Sequence, residues 1–207
     1  METNEIKRQH IIDTALRRFS HFGINKTTMS EIADDISVSK ANLYYYFPDK
    51  TALVVDVIKH LIDEGTQAFN KILDTSTEVL DMLFRLLEIR KNFFEKHYLL
   101  HITIGFADSN LNMEQIQKLG SLAEANELEI LEKIFEKGIK SKELVTFDIR
   151  NTSQIYFTIL RGISMVSIAK VTNKDIPEIS VFNEIFEKQK KASVIFVNGL
   201  RHELLNN

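Results

Sequence analysis

Cysteine is absent from all 207 residues, which excludes disulfides, cysteine-based zinc sites and thiol catalysis. Glycine (7) and proline (2) are scarce. So few turn-formers favour long uninterrupted helices over strands joined by tight turns. No apolar run approaches the roughly 20 residues that span a bilayer. The polar start, Met1 to Glu5, has no basic segment followed by an apolar one, so a signal peptide is not expected. These absences predict a cytoplasmic protein with no membrane partner. An excess of positive charge is missing too. The formal net charge is −3. In the first fifty residues seven basic side chains (Lys7, Arg8, Arg17, Arg18, Lys26, Lys40, Lys50) meet seven acidic ones (Glu2, Glu5, Asp13, Glu31, Asp34, Asp35, Asp49), a net of zero. Any affinity for nucleic acid must therefore come from where charges sit.

Enzyme signatures are also lacking. There is no P-loop, Gly-x-Ser-x-Gly, Gly-x-Gly-x-x-Gly or His-Glu-x-x-His. A di-iron bundle needs Glu-x-x-His pairs. The residues three before His10, His21, His60, His97, His101 and His202 are Lys7, Arg18, Val57, Phe94, Tyr98 and Gly199, none of them Glu. His97 and His101 share a helix face at i, i+4, but no third ligand is evident, so no metal and no cofactor are expected.

What is present is helical periodicity. Apolar residues are 44% of the chain, enough for a substantial core. Ile12, Ala15, Leu16 and Phe19 recur at i, i+3, i+4 and i+7, predicting a helix from Glu5 to Phe22 that stops at Gly23. Thr28 with Glu31 reads as a capping box opening a short helix over Met29 to Ile36. Ser39 caps a second short helix, Lys40 to Tyr46, which Pro48 ends. Asp49 caps a long helix from Lys50. Further helices are expected over Val79 to Lys96, His97 to Phe106, Met113 to Ser141 (with a possible kink at Gly120), Asn151 to Val171 and Phe182 to Leu205. Leu144 to Ile149 reads as a loop. The fold class is all-α: a three-helix helix-turn-helix head over 1–49 and a helical body over 50–207.

Two short helices joined by a tight turn form the helix-turn-helix arrangement, whose second helix enters the major groove. Leu43 and Phe47, at i, i+4, should face the core. Lys40 and Asn42 can reach base edges, Ala41 a thymine methyl, and Tyr44 and Tyr45 phosphates and sugars. The helix starts at Thr28 and Lys50 suit phosphate oxygens. Periodicity alone leaves another reading open, in which the Tyr-Tyr-Tyr-Phe run is core and Lys40 and Asn42 are solvated surface.

Ala15, Phe19, Phe22-Gly23, Thr27-Thr28, Ile32-Ala33, Val38-Ser39-Lys40, Asn42 to Phe47 and Lys50 together resemble the tetracycline-repressor (TetR) family over about a quarter of the chain. Ser-Lys-x-Asn-Leu-Tyr-Tyr-x-Phe looks most like its multidrug-sensing branch. The resemblance implies that Thr28, Ser39, Lys40, Asn42, Tyr44, Tyr45 and Lys50 face DNA, with Ala41 as a backbone or methyl contact. Many members have Gly where Ser37 and Ala41 stand here. A positive φ at Ser37 would carry strain, and the Ala41 methyl narrows the approach to DNA.

The resemblance also implies a bacterial repressor that binds a palindromic double-stranded operator as a homodimer and is released by a ligand. For the dimer interface the pattern offers Ile155, Ile159, Gly162, Ile163, Val166, Phe186, Ile195, Phe196, Gly199 and Leu200, two apolar helices from each of two chains. For a small hydrophobic or aromatic effector it offers Phe94, His97, Tyr98, His101, Asn126 and Tyr156. The rival expectation is a helical protein-interaction module with a degenerate DNA head, against which Lys40, Asn42, Tyr44 and Lys50 speak.

Overall fold

The computed structural model describes residues 4–76, 78–100, 113–169 and 178–201. These form eight helices: α1 (Asn4–Phe22), α2 (Met29–Asp35), α3 (Lys40–Tyr46), α4 (Lys50–Thr75), α5 (Val79–Lys96), α6 (Met113–Lys140), α7 (Ile149–Ala169) and α8 (Ile179–Gly199). Among the described residues there is no strand; an isolated bridge joins Leu144 to Arg201. The all-α class follows. His101 and most of the helix expected over His97 to Phe106 lie outside the described residues. Among those residues no helix is long and apolar enough to cross a membrane.

The chain divides into two units. The first comprises the residues up to Glu64 with Phe93–Ala123; the second comprises Gly65–Asn92 and the residues from Glu124 onward. The core of the first unit gathers the periodic face of α1 (Ile12, Ala15, Leu16, Phe19), Ile32 and Ala33 of α2, Leu43 and Phe47, and Leu53, Val54 and Val57 of α4. Leu100, far away in sequence, is buried in the same core. Gly23 stops α1 as expected: its φ is 79°, and its N–H donates to the Phe19 carbonyl at 3.0 Å.

The core of the second unit is built on Phe69, Met82, Leu83, Leu87, Leu131, Phe135, Tyr156 and Leu160. Here α7 packs along α8. Buried polar groups tie that pair together: Gln189 Nε2 donates to the Leu160 carbonyl at 3.0 Å and to Ser164 Oγ at 3.1 Å. Helix ends are closed by side chains. Lys137 donates to the carbonyls of Leu73 and Ser76 just past α4, where a cation also complements the helix dipole. Glu143 Oε2 accepts from the Val79 N–H at the start of α5 (2.9 Å), and its other oxygen holds Arg201 at 2.8 Å.

That last contact corrects the expected end of the final helix. The pattern ran on to Leu205, but α8 ends at Gly199 with Leu200 as its C-cap. The Leu200 carbonyl accepts from the Val145 N–H (2.9 Å), drawing the chain back onto the loop before α7. Asp148, which caps α7 through the Asn151 N–H at 3.0 Å, starts that helix at Ile149 instead of Asn151.

α6 contains two glycines with opposite roles. A Cβ on Gly138 would stand 2.5 Å from Val79 Cγ2 and 2.7 Å from Leu144 Cδ1, whereas one on Gly120 would meet nothing within 4 Å among the described residues. Alanine is favoured over glycine in a helix by about 1 kcal/mol, and overpacking a tight contact costs about 1–3 kcal/mol. Gly120→Ala should therefore raise the melting temperature and Gly138→Ala should lower it; two shifts of the same sign in thermal melts would contradict this packing.

Candidate nucleic-acid interface

The first unit places α2 and α3 by three local devices. Thr28 Oγ1 accepts from the Glu31 N–H (3.2 Å), while Glu31 Oε2 accepts from the Thr28 N–H (2.7 Å) and from its hydroxyl (2.8 Å). This is the capping box read from the sequence, and it engages the Thr28 hydroxyl within the protein. The Thr28 backbone N–H first, then its hydroxyl and Arg18, hold the Glu31 carboxyl below the usual carboxylate range. Between the helices Ser37 adopts φ 53°, the left-handed conformation in which a side chain costs about 1–2 kcal/mol. Ser37→Val should accordingly lower stability by about 1 kcal/mol or more, because a β-branched residue suits this region worst. Ser37→Gly should be neutral or stabilising, and a melt that ranks valine above glycine would contradict the strain. Ser39 then caps α3, its Oγ accepting from the Asn42 N–H at 3.1 Å.

The orientation of α3 follows from its two buried anchors, Leu43 (0% exposed) and Phe47 (1%). Seating them turns the rest of the helix outward. Ser39, Lys40, Ala41, Asn42, Tyr44 and Tyr45 are all exposed, with Tyr45 at 75% and Tyr44 at 40%. Tyr46 is half-buried against the core, so the aromatic run divides into two outward rings and two inward ones. Thr28 is also exposed, and Lys50 is half-buried at the start of α4, where Asp49 Oδ1 accepts from the Ala52 N–H at 2.8 Å.

Two arginines absent from the expected site hold this geometry. Arg18 of α1 grips both Asp35 oxygens (2.5 and 2.9 Å) and lies 3.5 Å from Glu31, fixing α2 to α1. The Asp35 carboxyl is lowered mainly by that hydrogen bond. Arg8 stacks 4.8 Å over the Phe47 ring and pairs with Asp56, linking α1, α3 and α4. These contacts join residues 13 to 48 apart in sequence, a distance that no local pattern reveals.

The effector candidates divide between the units. In the first, Phe94 and Tyr98 are half-buried and packed edge to face at 5.6 Å, and His97 is buried with Nδ1 2.6 Å from Ser20 Oγ. In the second, Asn126 is half-buried. Tyr156 is fully buried; its hydroxyl meets Ser193 Oγ at 2.6 Å, and its ring packs on Phe135 and Phe196. Burial pushes its phenol up to about 12, against the opposing pull of the Ser193 hydrogen bond. Tyr156 is thus a member of the core, because its polar tip already has a partner.

The dimer candidates also separate. On α7, Ile155, Ile159 and Val166 are exposed, Gly162 and Ile163 are half-buried on the same face, and Met165 is exposed beside them. On α8, Ile195 and Gly199 are exposed. Among the described residues, added Cβ atoms on Gly162 and Gly199 would meet nothing within 4 Å. Phe186 is buried, and the half-buried Phe196 and Leu200 pack on the core of the second unit. Lys91 and Lys190 sit over the Phe186 ring. These three apolar residues turn inward because α8 uses them against its own unit.

Residues 11–57 match the model of the family described as bacterial regulatory proteins, tetR family. The HTH-type transcriptional regulator RutR of Escherichia coli K12 is 44% identical over 57 residues, 28% of this chain and 27% of its own length. The chain therefore spans about a quarter of the length of such curated relatives. Over nearly the whole chain, the crystal structure of a transcriptional regulator from Cytophaga hutchinsonii superposes with a TM-score of 0.84 at 28% identity, covering 94% of this chain and 98% of that one. A chain from Saccharomonospora viridis, solved in complex with choline, shares the fold at 15% identity, with a TM-score of 0.65 and coverage of 97% and 98%. The match to the tetR family of bacterial regulatory proteins thus falls on residues 11–57, the segment that carries α2, the Ser37 turn and α3.

Proposed function

We propose that the protein is a sequence-specific DNA-binding transcriptional regulator, a homodimeric repressor released by a small molecule, with residues 1–49 reading DNA and 50–207 dimerising and sensing. One observation carries this reading most directly. α3 buries Leu43 and leaves Lys40, Asn42, Tyr44 and Tyr45 together in solvent. A surface helix with no ligand would gain little from two exposed tyrosines, whereas a reading helix uses them for phosphate and sugar contacts. We assign DNA contact to Thr28, Ser39, Lys40, Ala41, Asn42, Tyr44, Tyr45 and Lys50. Thr28 and Ser39 stand at the starts of α2 and α3, which their hydroxyls cap.

A palindromic operator presents two half-sites and needs two heads. The exposed stripe of Ile155, Ile159, Gly162, Ile163 and Val166, with Ile195 and Gly199, supplies the self-complementary apolar face for a second copy of the chain. An effector is supported by the choline complex of the Saccharomonospora viridis chain and by the multidrug-branch wording of α3. Phe94 and Tyr98 are the aromatic pair we assign to it; Asn126 is a further candidate. The reading is tested by fluorescence anisotropy with DNA from upstream of the protein's own gene, at two salt concentrations. Tight, salt-sensitive binding supports it. Absence of binding there and in a selection from random DNA would sink it.

A further inference from the structure

His97 presents a polarity problem that DNA reading does not absorb. The ring is 3% exposed. Nδ1 is bound to Ser20 Oγ at 2.6 Å, and among the described residues Nε2 is buried without a hydrogen-bond partner. Whichever tautomer is present, a neutral ring leaves one unpaired atom. An imidazolium would leave a buried N–H carrying part of a full charge, which is far costlier. Burial, and then Lys96, push the ring below the ordinary histidine value, with Glu64 opposing them.

The ring's position gives this chemistry a target. Ser20 lies on the last turns of α1, two residues from Arg18, whose guanidinium holds Asp35 and Glu31 of α2. Three residues beyond His97, Leu100 is buried in the core that seats Leu43 and Phe47. His97 also lines an open cleft of about 940 Å³ with Asp13, Arg17, Ser20 and His21 of α1, His60 and Glu64 of α4, and Lys96 of α5. Asp13 is engaged by Gln9 (2.8 Å) and lies 3.8 Å from His60. The cleft brings water, and so protons, to the edge of the buried ring.

We propose that His97, as a neutral imidazole, is a positioning residue for the DNA-reading helices: through Ser20 it fixes α1, and the affinity for DNA falls when the ring takes up a second proton. The inference rests on the DNA-binding reading above. The direction is settled by linkage. With the folded value depressed, the loosened state binds more protons, so the stability of the tie is complete above about pH 6.5 and declines as pH falls from there to the folded value. Ordinary electrostatics runs the other way, since surface histidines that gain charge in acid tighten binding to DNA.

The test measures operator affinity at matched ionic strength from pH 8 to pH 5 for the wild type, His97→Asn, His97→Phe and Ser20→Ala, each checked for native folding by circular dichroism. Asn can still bond Ser20 but has no proton to gain; Phe fills the space without a bond. Wild-type affinity should weaken about threefold or more in acid, within the tenfold-per-unit ceiling of one proton. His97→Asn should be level or tighter in acid, and at pH 8 it should bind more tightly than His97→Phe. Ser20→Ala should bind more weakly than wild type at pH 8. In imidazole NMR spectra the His97 ring should titrate below the ordinary histidine value. A wild type that binds at pH 8 and tightens in acid overturns this inference alone, as does a His97→Asn profile parallel to wild type. A wild type that binds no DNA at pH 8 overturns the DNA-binding reading itself.

Discussion

Replacing Lys40 or Tyr45 with alanine should weaken operator binding by about 10- to 100-fold while leaving the melting temperature within about 1 °C of wild type. Both side chains are exposed on α3, and the helix is anchored by Leu43 and Phe47 instead. Exposed substitutions away from caps and cores usually change stability by no more than about 0.5 kcal/mol. The two losses should differ in kind. A lost phosphate contact lowers affinity for every sequence and reduces the salt slope by about 0.9. A lost base contact costs about 1–3 kcal/mol and relaxes the preference at one position of the site. Measuring each variant on operator and random DNA at two salt concentrations separates these effects. Unchanged affinity in both variants would remove α3 from the interface.

The second large effect is expected at the apolar stripe of α7. Ile159→Asp should turn a dimer into a monomer at micromolar concentration, as read by sedimentation equilibrium. In a two-fold interface one substitution places two carboxylates near the axis, each losing water without a partner, and an unpaired buried charge costs about 3–5 kcal/mol. Ile159 is exposed in the single chain, so the monomer should stay folded. Operator affinity should fall further than in Lys40→Ala, because a lone head meets only one half-site. Phe186→Asp is the contrasting variant: that ring is buried under Lys91 and Lys190, so its loss should unfold the second unit. A monomeric wild type would show that the stripe is covered by something other than a second copy.

How much was legible varies by element. α1, the capping box, α3 and its buried pair could be read locally because each depends on spacing within one or two turns. The Ser37 turn could be read as well: its φ of 53° is the left-handed conformation that glycine adopts without strain. The end of α8 could not, because apolar periodicity continues through Leu204 while the stop is made by Glu143 and Val145, more than fifty residues earlier. Tyr156 illustrates the same limit. An aromatic with a hydroxyl suits a ligand pocket or a core equally well, and the choice was made by Ser193, 37 residues away.

The sequence by itself determined the all-helical class, the starts of α2, α3 and α4 and the residues that form α3, because capping, turn chemistry and 3.6-residue periodicity act over a few neighbouring residues. Only the tertiary structure decided which apolar faces close on their own unit and which stay open. Phe186 went inward and Ile195 outward from the same helix, since burial depends on what another segment brings opposite. The same holds for the charges. The net balance of the first fifty residues is zero, and only the fold shows that Arg8 and Arg18 are taken up by Asp56, Asp35 and Glu31 while Lys40 stands exposed beside Asn42, Tyr44 and Tyr45.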